Sequence, residues 1–412
     1  MKPVPVAAQR LEVSSHPFAE TIEAHGCPIV LRRVEGPEAS ELYLHCQPPA
    51  GTVGARLQAE AIYRAILGVL AAEAAGFASV VSETVFLRNL RTSVESVREA
   101  RHRVLAEHVA ATHRPAVTEI EQPPLNERAC LEVSVQAVVP NRSPVRIEPI
   151  ETRPACGCAE CARAHGLRIH VGEETRFHAA ALCGPGETAY EQTLGMFALA
   201  ESLLQQAGLE FRDVVRTWIH MRDIDRDYAD LNTARREFFR VRGIDPVPAS
   251  TGIGGGMVSE AHDLCLGVYA VKAGHSLART VMTSPTLNEA AQYGADFVRG
   301  LKVVEANKVV LHVSGTASID EHGRTTHVGD FEAQADRMLV NIAALLEGQG
   351  ADFGDVVSAI TYLKHPADAA RLREKIRAAG FAGFPHALVA APICRPDLLC
   401  ETEALAVAAR NQ

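Results

Sequence analysis

No apolar run in this chain reaches the roughly 20 residues that cross a bilayer, so neither a membrane-spanning helix nor a membrane partner is expected. No cluster of Lys and Arg interleaves with aromatic residues, and the net charge is −9. Affinity for nucleic acid comes from neutralising phosphates, so no nucleic-acid partner is expected either. The opening Met1-Lys2-Pro3-Val4-Pro5 lacks the apolar core of a signal peptide, and a cytoplasmic location is the expectation. Tryptophan occurs once, at Trp218. Cysteine is not scarce, but its ten copies are scattered along 412 residues. They read as free or metal-bound thiols in a reducing compartment rather than as a disulfide framework.

What the chain does have is an internal repeat. Phe77-Ala78-Ser79-Val80-Val81-Ser82-Glu83-Thr84-Val85-Phe86-Leu87 matches Phe211-Arg212-Asp213-Val214-Val215-Arg216-Thr217-Trp218-Ile219-His220-Met221. Both match Phe353-Gly354-Asp355-Val356-Val357-Ser358-Ala359-Ile360-Thr361-Tyr362-Leu363. Each copy follows an amphipathic helix, precedes a charged one, and is closed by a strand (Leu131 to Val138, Cys265 to Val271, Cys400 to Val407). The period, roughly 135 to 140 residues, is too long for a solenoid and right for a small domain.

The organisation expected is therefore a first unit over 1–140 with an N-terminal lead-in, a linker rich in Pro, Arg and Cys over 141–166, a second unit over 167–275 and a third over 276–412. Within each unit, strands, helix, strand, helix and strand follow one another, which predicts an α+β sandwich with helices on one face of a mixed sheet. In the second unit, Thr188 to Gln206 and Tyr228 to Val241 read as helices. Pro248-Ala249-Ser250-Thr251-Gly252-Ile253-Gly254-Gly255-Gly256 reads as a segment whose glycines allow close backbone approach or positive φ. In the third, a hairpin turn is expected at Glu321-His322-Gly323.

One cluster has metal-ligand character. Cys156, Cys158 and Cys161 place three thiols in a short stretch that can wrap a soft cation, with His165, His170 or Cys183 as a fourth ligand. A structural zinc and plain free thiols are both open, and the spacing is not a standard zinc-ribbon pattern.

Gly315-Thr316-Ala317-Ser318-Ile319-Asp320, Gly348-Gln349-Gly350 and the closing Cys400-Glu401-Thr402-Glu403-Ala404-Leu405-Ala406-Val407 resemble the RidA (YjgF) family. These are small chorismate-mutase-like α/β sandwich domains that form trimers with ligand sites between subunits. The resemblance implies three tandem RidA-like units, one chain supplying a pseudo-trimer, and a homo-oligomer of such chains as a further partner state. The imine deaminases of that family hold a substrate carboxylate with an Arg in a Pro-Ala-Arg motif. Here the matching triplets are Pro115-Ala116-Val117, Pro248-Ala249-Ser250 and Pro385-His386-Ala387, and none keeps the Arg.

Arg216-Thr217-Trp218, then Tyr228, Asn232 and Arg235, then Ala249-Ser250-Thr251-Gly252-Ile253-Gly254, and finally Cys394-Arg395 before Glu401, resemble the chorismatase family over 167–412. That resemblance implies cleavage of the enolpyruvyl ether of chorismate or a related carboxylated ring, with release of pyruvate and no cofactor required for catalysis. Glu401 would be the catalytic proton donor. Arg395, Arg216, Arg235, Tyr228, Cys394, Thr251 and Gly252 would bind the substrate. Glu401 lies in an apolar strand, where desolvation raises a carboxyl pKa, although a structural carboxylate fits the same setting. Its counterparts are Glu132 in the first unit and Cys265 in the second. A RidA-like enamine or imine hydrolase or cyclodehydratase, and a non-catalytic ligand-binding pseudo-trimer, are the alternative readings.

Overall fold

The computed structural model describes residues 19–108, 113–151, 165–274, 277–288 and 296–409. It contains three mixed sheets with paired helices, an α+β fold made of three like units. The first unit holds β1 (Ala19–Ala24), β2 (Cys27–Val34), β3 (Ala39–Cys46), α1 (Ala55–Ala72), β4 (Val80–Leu87), α2 (Leu90–Leu105), β5 (Ala116–Glu121) and β6 (Leu131–Pro140). The second holds β7 (Arg146–Glu151), β8 (His165–Val171), β9 (Glu174–Leu182), α3 (Ala189–Gln206), β10 (Val214–Met221), α4 (Ile224–Arg242), β11 (Ala249–Gly254), β12 (Gly256–Met257) and β13 (Leu264–Ala273). The third holds β14 (Ala278–Val281), β15 (Gly300–Val304), β16 (Lys308–Ala317), α5 (Phe331–Glu347), β17 (Val356–Leu363), α6 (Ala369–Ala378), β18 (His386–Ala390) and β19 (Cys400–Ala409).

Strand order repeats: β1-β2-β3-β6-β4-β5, β11-β10-β13-β9-β8-β7 read backwards, and β14-β15-β16-β19-β17-β18. In each unit only the pair flanking the second helix is parallel: β4 with β5, β10 with β11, and β17 with β18. The repeated Val-Val has a structural reason. Val81, Val215 and Val357 are the extra residues of a bulge that recurs against the closing strand of each sheet. All three side chains are fully buried, a burial worth about 1.5–3 kcal/mol each.

Local sequence explains the helix ends. Thr188 caps α3 through a reciprocal box with Glu191, Asp223 caps α4 and Asp330 caps α5. Gly243, at φ 61, closes α4 in the left-handed conformation. The turn at Glu321-His322-Gly323 is present: Gly323 N–H donates to Asp320 O and Gly323 has φ 76.

One reading is corrected. The stretch 141–166 is not linker throughout, because β7 lies inside it and pairs antiparallel with β8 at the edge of the second sheet. Ile147 and Ile150 pack against neighbouring cores, while Pro149 sits where an edge strand tolerates a missing donor. Cys156, Cys158 and Cys161 lie outside the described residues. Of their candidate companions, His165 bonds the carbonyls of Arg114 and Pro115, His170 bonds Thr175, and Cys183 is buried. Among the described residues no helix is long and apolar enough to cross a membrane.

One outer strand of each sheet is covered by the backbone of another unit. β12 pairs with β5. Leu125 N–H donates to Leu388 O, and Ala390 N–H to Pro123 O, along β18. Gly254 N–H donates to Pro392 O, and Val298 bridges Ala249, along β11. The faces turned away from the helices enclose a cavity of about 170 Å³ lined from all three sheets. There Glu41 of β3 accepts from Arg176 of β9 at 2.5 Å and from Lys308 of β16, while Glu305 accepts from Arg176 at 3.4 Å. Burial alone would raise the Glu41 pKa, but Lys308 and Arg176 pull it well below the usual carboxylate range.

Candidate functional site

Glu401 is the second residue of β19, opposite Tyr362 of β17. The same place in the other sheets is Glu132 opposite Phe86 and Cys265 opposite His220. The three places have different chemistry. Glu132 is closed off by a buried pair with His45 Nε2 at 3.0 Å. Cys265 faces a pocket of about 240 Å³ between the first and second units, and burial pushes its thiol up to about 12, so it supplies no acid near neutrality. Only Glu401 opens as a carboxyl onto a pocket.

That pocket, of about 360 Å³, lies between the second and third units. Helix α4 contributes Tyr228, Asn232 and Arg235, which fall on one face at helical spacing. β11 contributes Ser250 and Gly252, and the third unit contributes Arg299, Gly315, Cys394, Arg395 and Glu401. Phe297 forms part of the wall and lies under two guanidinium groups, Arg235 at 5.4 Å and Arg299 at 5.7 Å from its centroid. Arg235 is aimed by Asn232 Oδ1 at 2.6 Å and Ser250 Oγ at 3.3 Å. Arg299 is held by the carbonyl and side-chain oxygens of Asn288 at 2.9 and 3.1 Å. Arg395 donates to Gly323 O at 2.8 Å.

Glu401 is 4% exposed. A bulge in β16 between Val313 and Thr316 brings the Gly315 backbone against it. A Cβ at Gly315 would stand 2.0 Å from Glu401 Oε1, so any side chain there would displace the carboxyl. Burial, then the negative charge of Glu403, push the Glu401 pKa up to about 8, against the pull of Arg299, Arg216 and Arg395. The shift favours the carboxylic acid at neutral pH, in a pocket where Arg235, Arg299 and Arg395 can hold carboxylates.

The other expected site residues divide. Tyr228, Arg235, Gly252, Cys394 and Arg395 line the pocket with Glu401. The Tyr228 hydroxyl bonds the Cys394 thiol, which burial pushes up to about 12 and so keeps from being a thiolate. Thr251 and Arg216 do not line it, which corrects their placement. Side chains alternate along β11, so Ser250 and Gly252 face the pocket while Thr251 faces the opposite side. There Thr251 Oγ1 accepts from Arg216 Nη2 at 2.5 Å, and Arg216 lines the central cavity. Ser250, Phe297 and Gly315 went unrecognised as pocket residues; Ser250 and Gly315 stand inside motifs quoted for other reasons. Gly254 and Gly255 serve close approach between units, since their Cβ atoms would meet Pro392 at 2.7 Å and Ile120 at 2.9 Å. Ser314 is a fastener: Ser250 N–H donates to it at 2.9 Å and it donates to Val298 O at 2.5 Å.

Comparison with known proteins agrees with this anatomy. The family model described as Endoribonuclease L-PSP matches residues 290–408. A RutC family protein of Pyrococcus abyssi is 36% identical over 98 residues, 23% of this chain and 76% of that protein. A 3-hydroxybenzoate synthase of Streptomyces hygroscopicus is 27% identical over 270 residues, 58% of this chain and 77% of that protein. In fold, a chorismatase crystal structure superposes with a TM-score of 0.59 at 20% identity, over 80% of this chain and 93% of that one. The chain belongs to the RidA (YjgF) superfamily, of which the RutC proteins are part, as three RidA-like units in tandem.

Proposed function

We propose that the protein cleaves the enolpyruvyl ether of chorismate, or of a closely related carboxylated ring, and releases pyruvate. The observation that carries this reading is Glu401, a buried carboxyl pushed up to about 8 that opens onto a pocket holding Arg235, Arg299 and Arg395. Similarity to a 3-hydroxybenzoate synthase and to the chorismatase fold supports it.

The substrate has two carboxylates, and paired guanidinium groups match their geometry with charge-assisted bonds. Glu401 gives its proton to the terminal enol carbon, and the electron pair of the double bond forms the new C–H bond. The ether oxygen then shares the positive charge of an oxocarbenium ion, next to the Glu401 carboxylate just formed. Capture by water gives a hemiketal that collapses to pyruvate and a ring diol. Capture from the ring itself, followed by loss of a ring proton, gives pyruvate and a hydroxybenzoate without net consumption of water. Each step is a proton transfer, an addition or an elimination, so the proposed chemistry calls on no cofactor.

The test is purified protein with chorismate, following pyruvate and ring products by mass spectrometry, with Glu401→Gln alongside. Pyruvate formation that disappears in the variant supports the reading. Folded wild-type protein that binds chorismate and releases no pyruvate overturns it.

A further inference from the structure

Two residues beyond Glu401 on β19 lies a second buried carboxylate, Glu403. Residues i and i+2 of a strand share a face, so the two carboxyl groups stand in one row about 7 Å apart at the backbone. Glu403 opens not onto the site pocket but onto the central cavity. Three donors from two units converge on it: Trp218 Nε1 at 2.7 Å, Arg216 Nη2 at 3.1 Å and the Tyr362 hydroxyl at 3.2 Å. An indole, a guanidinium and a phenol together satisfy both oxygens of this carboxyl group. Arg216 is fixed in turn by Thr251 Oγ1 and stacks over Trp218 at 5.1 Å. The single tryptophan of the chain therefore serves as a donor to this carboxylate from another unit.

We infer that Glu403 is a positioning residue for the proposed acid: anchored by Trp218, Arg216 and Tyr362 in one row with Glu401, it occupies Arg216, which would otherwise be free to pair with Glu401. The inference rests on the proposed role of Glu401 for its functional meaning, but not for its physical content. The charged and titratable groups around Glu401 are Glu403 and Cys400 on its own strand, Tyr362 on β17, Arg216 on β10, Tyr228 and Arg235 on α4, and Cys394, Arg395 and Arg299 around the pocket. Of these, Glu403 is the carboxylate, and its effect on Glu401 is second only to burial. His220, which also feels Glu403, is kept neutral by burial, with a pKa lowered to about 4.

The experiment is a titration of Glu401 in Glu403→Gln by ¹³C NMR of glutamate-labelled protein, the resonance assigned from Glu401→Gln. The expected result is a midpoint about 1–2 pH units lower than in the wild type, because an opposing charge is removed and Arg216 is released. With chorismate, the alkaline fall of kcat/KM moves down by the same amount, which loss of packing alone would not produce. An unmoved midpoint in folded Glu403→Gln overturns the inference, whether or not chorismate is turned over. A lowered midpoint in a protein that does not act on chorismate supports the inference and counts only against the proposed reaction. Should Glu403→Gln not fold, Arg216→Gln reads the same pair with the opposite sign. The uncovered Glu403 charge then raises the Glu401 midpoint, and a midpoint that stays or falls overturns the inference.

Discussion

Arg176 of the second unit donates to Glu41 of the first at 2.5 Å, in a buried cluster that Lys308 of the third unit completes. The Glu41 carboxylate thus compensates two cations from two other units. Glu41→Ala leaves both buried without it, a loss that typically costs about 3–5 kcal/mol. Denaturant unfolding should show that loss. Tyr43→Phe, which removes the hydroxyl's bond to Glu41 at 2.6 Å and the one it accepts from Gln136 at 3.3 Å, should cost about 1–2 kcal/mol.

Activity that depends on protonated Glu401 should hold below about pH 8 and fall about tenfold per pH unit above it. The kcat/KM profile on chorismate checks this. Glu401→Gln should bind substrate and lose turnover, with no alkaline limb left to measure.

Stability should carry the same signature. The folded-state pKa of Glu401, about 8, is raised above its ordinary 4.5, so between those values the folded protein holds a proton that the unfolded chain has lost. Its contribution is full below the ordinary value and is lost as pH rises toward 8. The size is on the order of 1.4 kcal/mol for each pH unit that separates the two values. Relative to wild type, Glu401→Gln should therefore gain stability as pH rises across that window, read as the difference in unfolding midpoints.

Gly315→Ala should act as a selective lesion of the acid. Its Cβ would occupy the place of Glu401 Oε1, 2.0 Å away, so the carboxyl must turn aside. A misplaced catalytic group costs on the order of 100-fold. The expected outcome is a fall of that size in kcat with KM changed far less.

Arg395→Ala removes a pocket guanidinium that also donates to the Gly323 carbonyl. A charge-assisted bond to a substrate carboxylate is worth about 1.5–3 kcal/mol, so kcat/KM should fall about 10- to 100-fold. Arg395→Lys should recover only part of it, since the planar fork is lost.

Much of this was legible in the chain because the repeat reports on packing. The Val-Val of each copy is the bulge, and the residues around it alternate as strands do. The raised carboxyl pKa of Glu401 was legible because the strand around it is apolar, a setting that a structural carboxylate shares. β7 was hidden because Pro149 and flanking charge mask a half-buried edge strand. Thr251 and Arg216 were assigned to the pocket because a motif gives order along the chain but not which face of β11 meets the neighbouring unit. The role of Glu403 is not legible in the chain, although it follows Glu401 by one strand period. Its meaning depends on Trp218 and Arg216, which lie some 185 residues earlier in the chain and come near only when the units pack.

The covering of the outer strands has a practical consequence. The second unit seals β5, the first seals β18 and the third seals β11. Bare strand edges recruit other chains. Any fragment that drops one unit therefore bares the β-strand which that unit had sealed, and it should aggregate before it can be assayed. The three units are separable as folds in the eye but not as reagents at the bench.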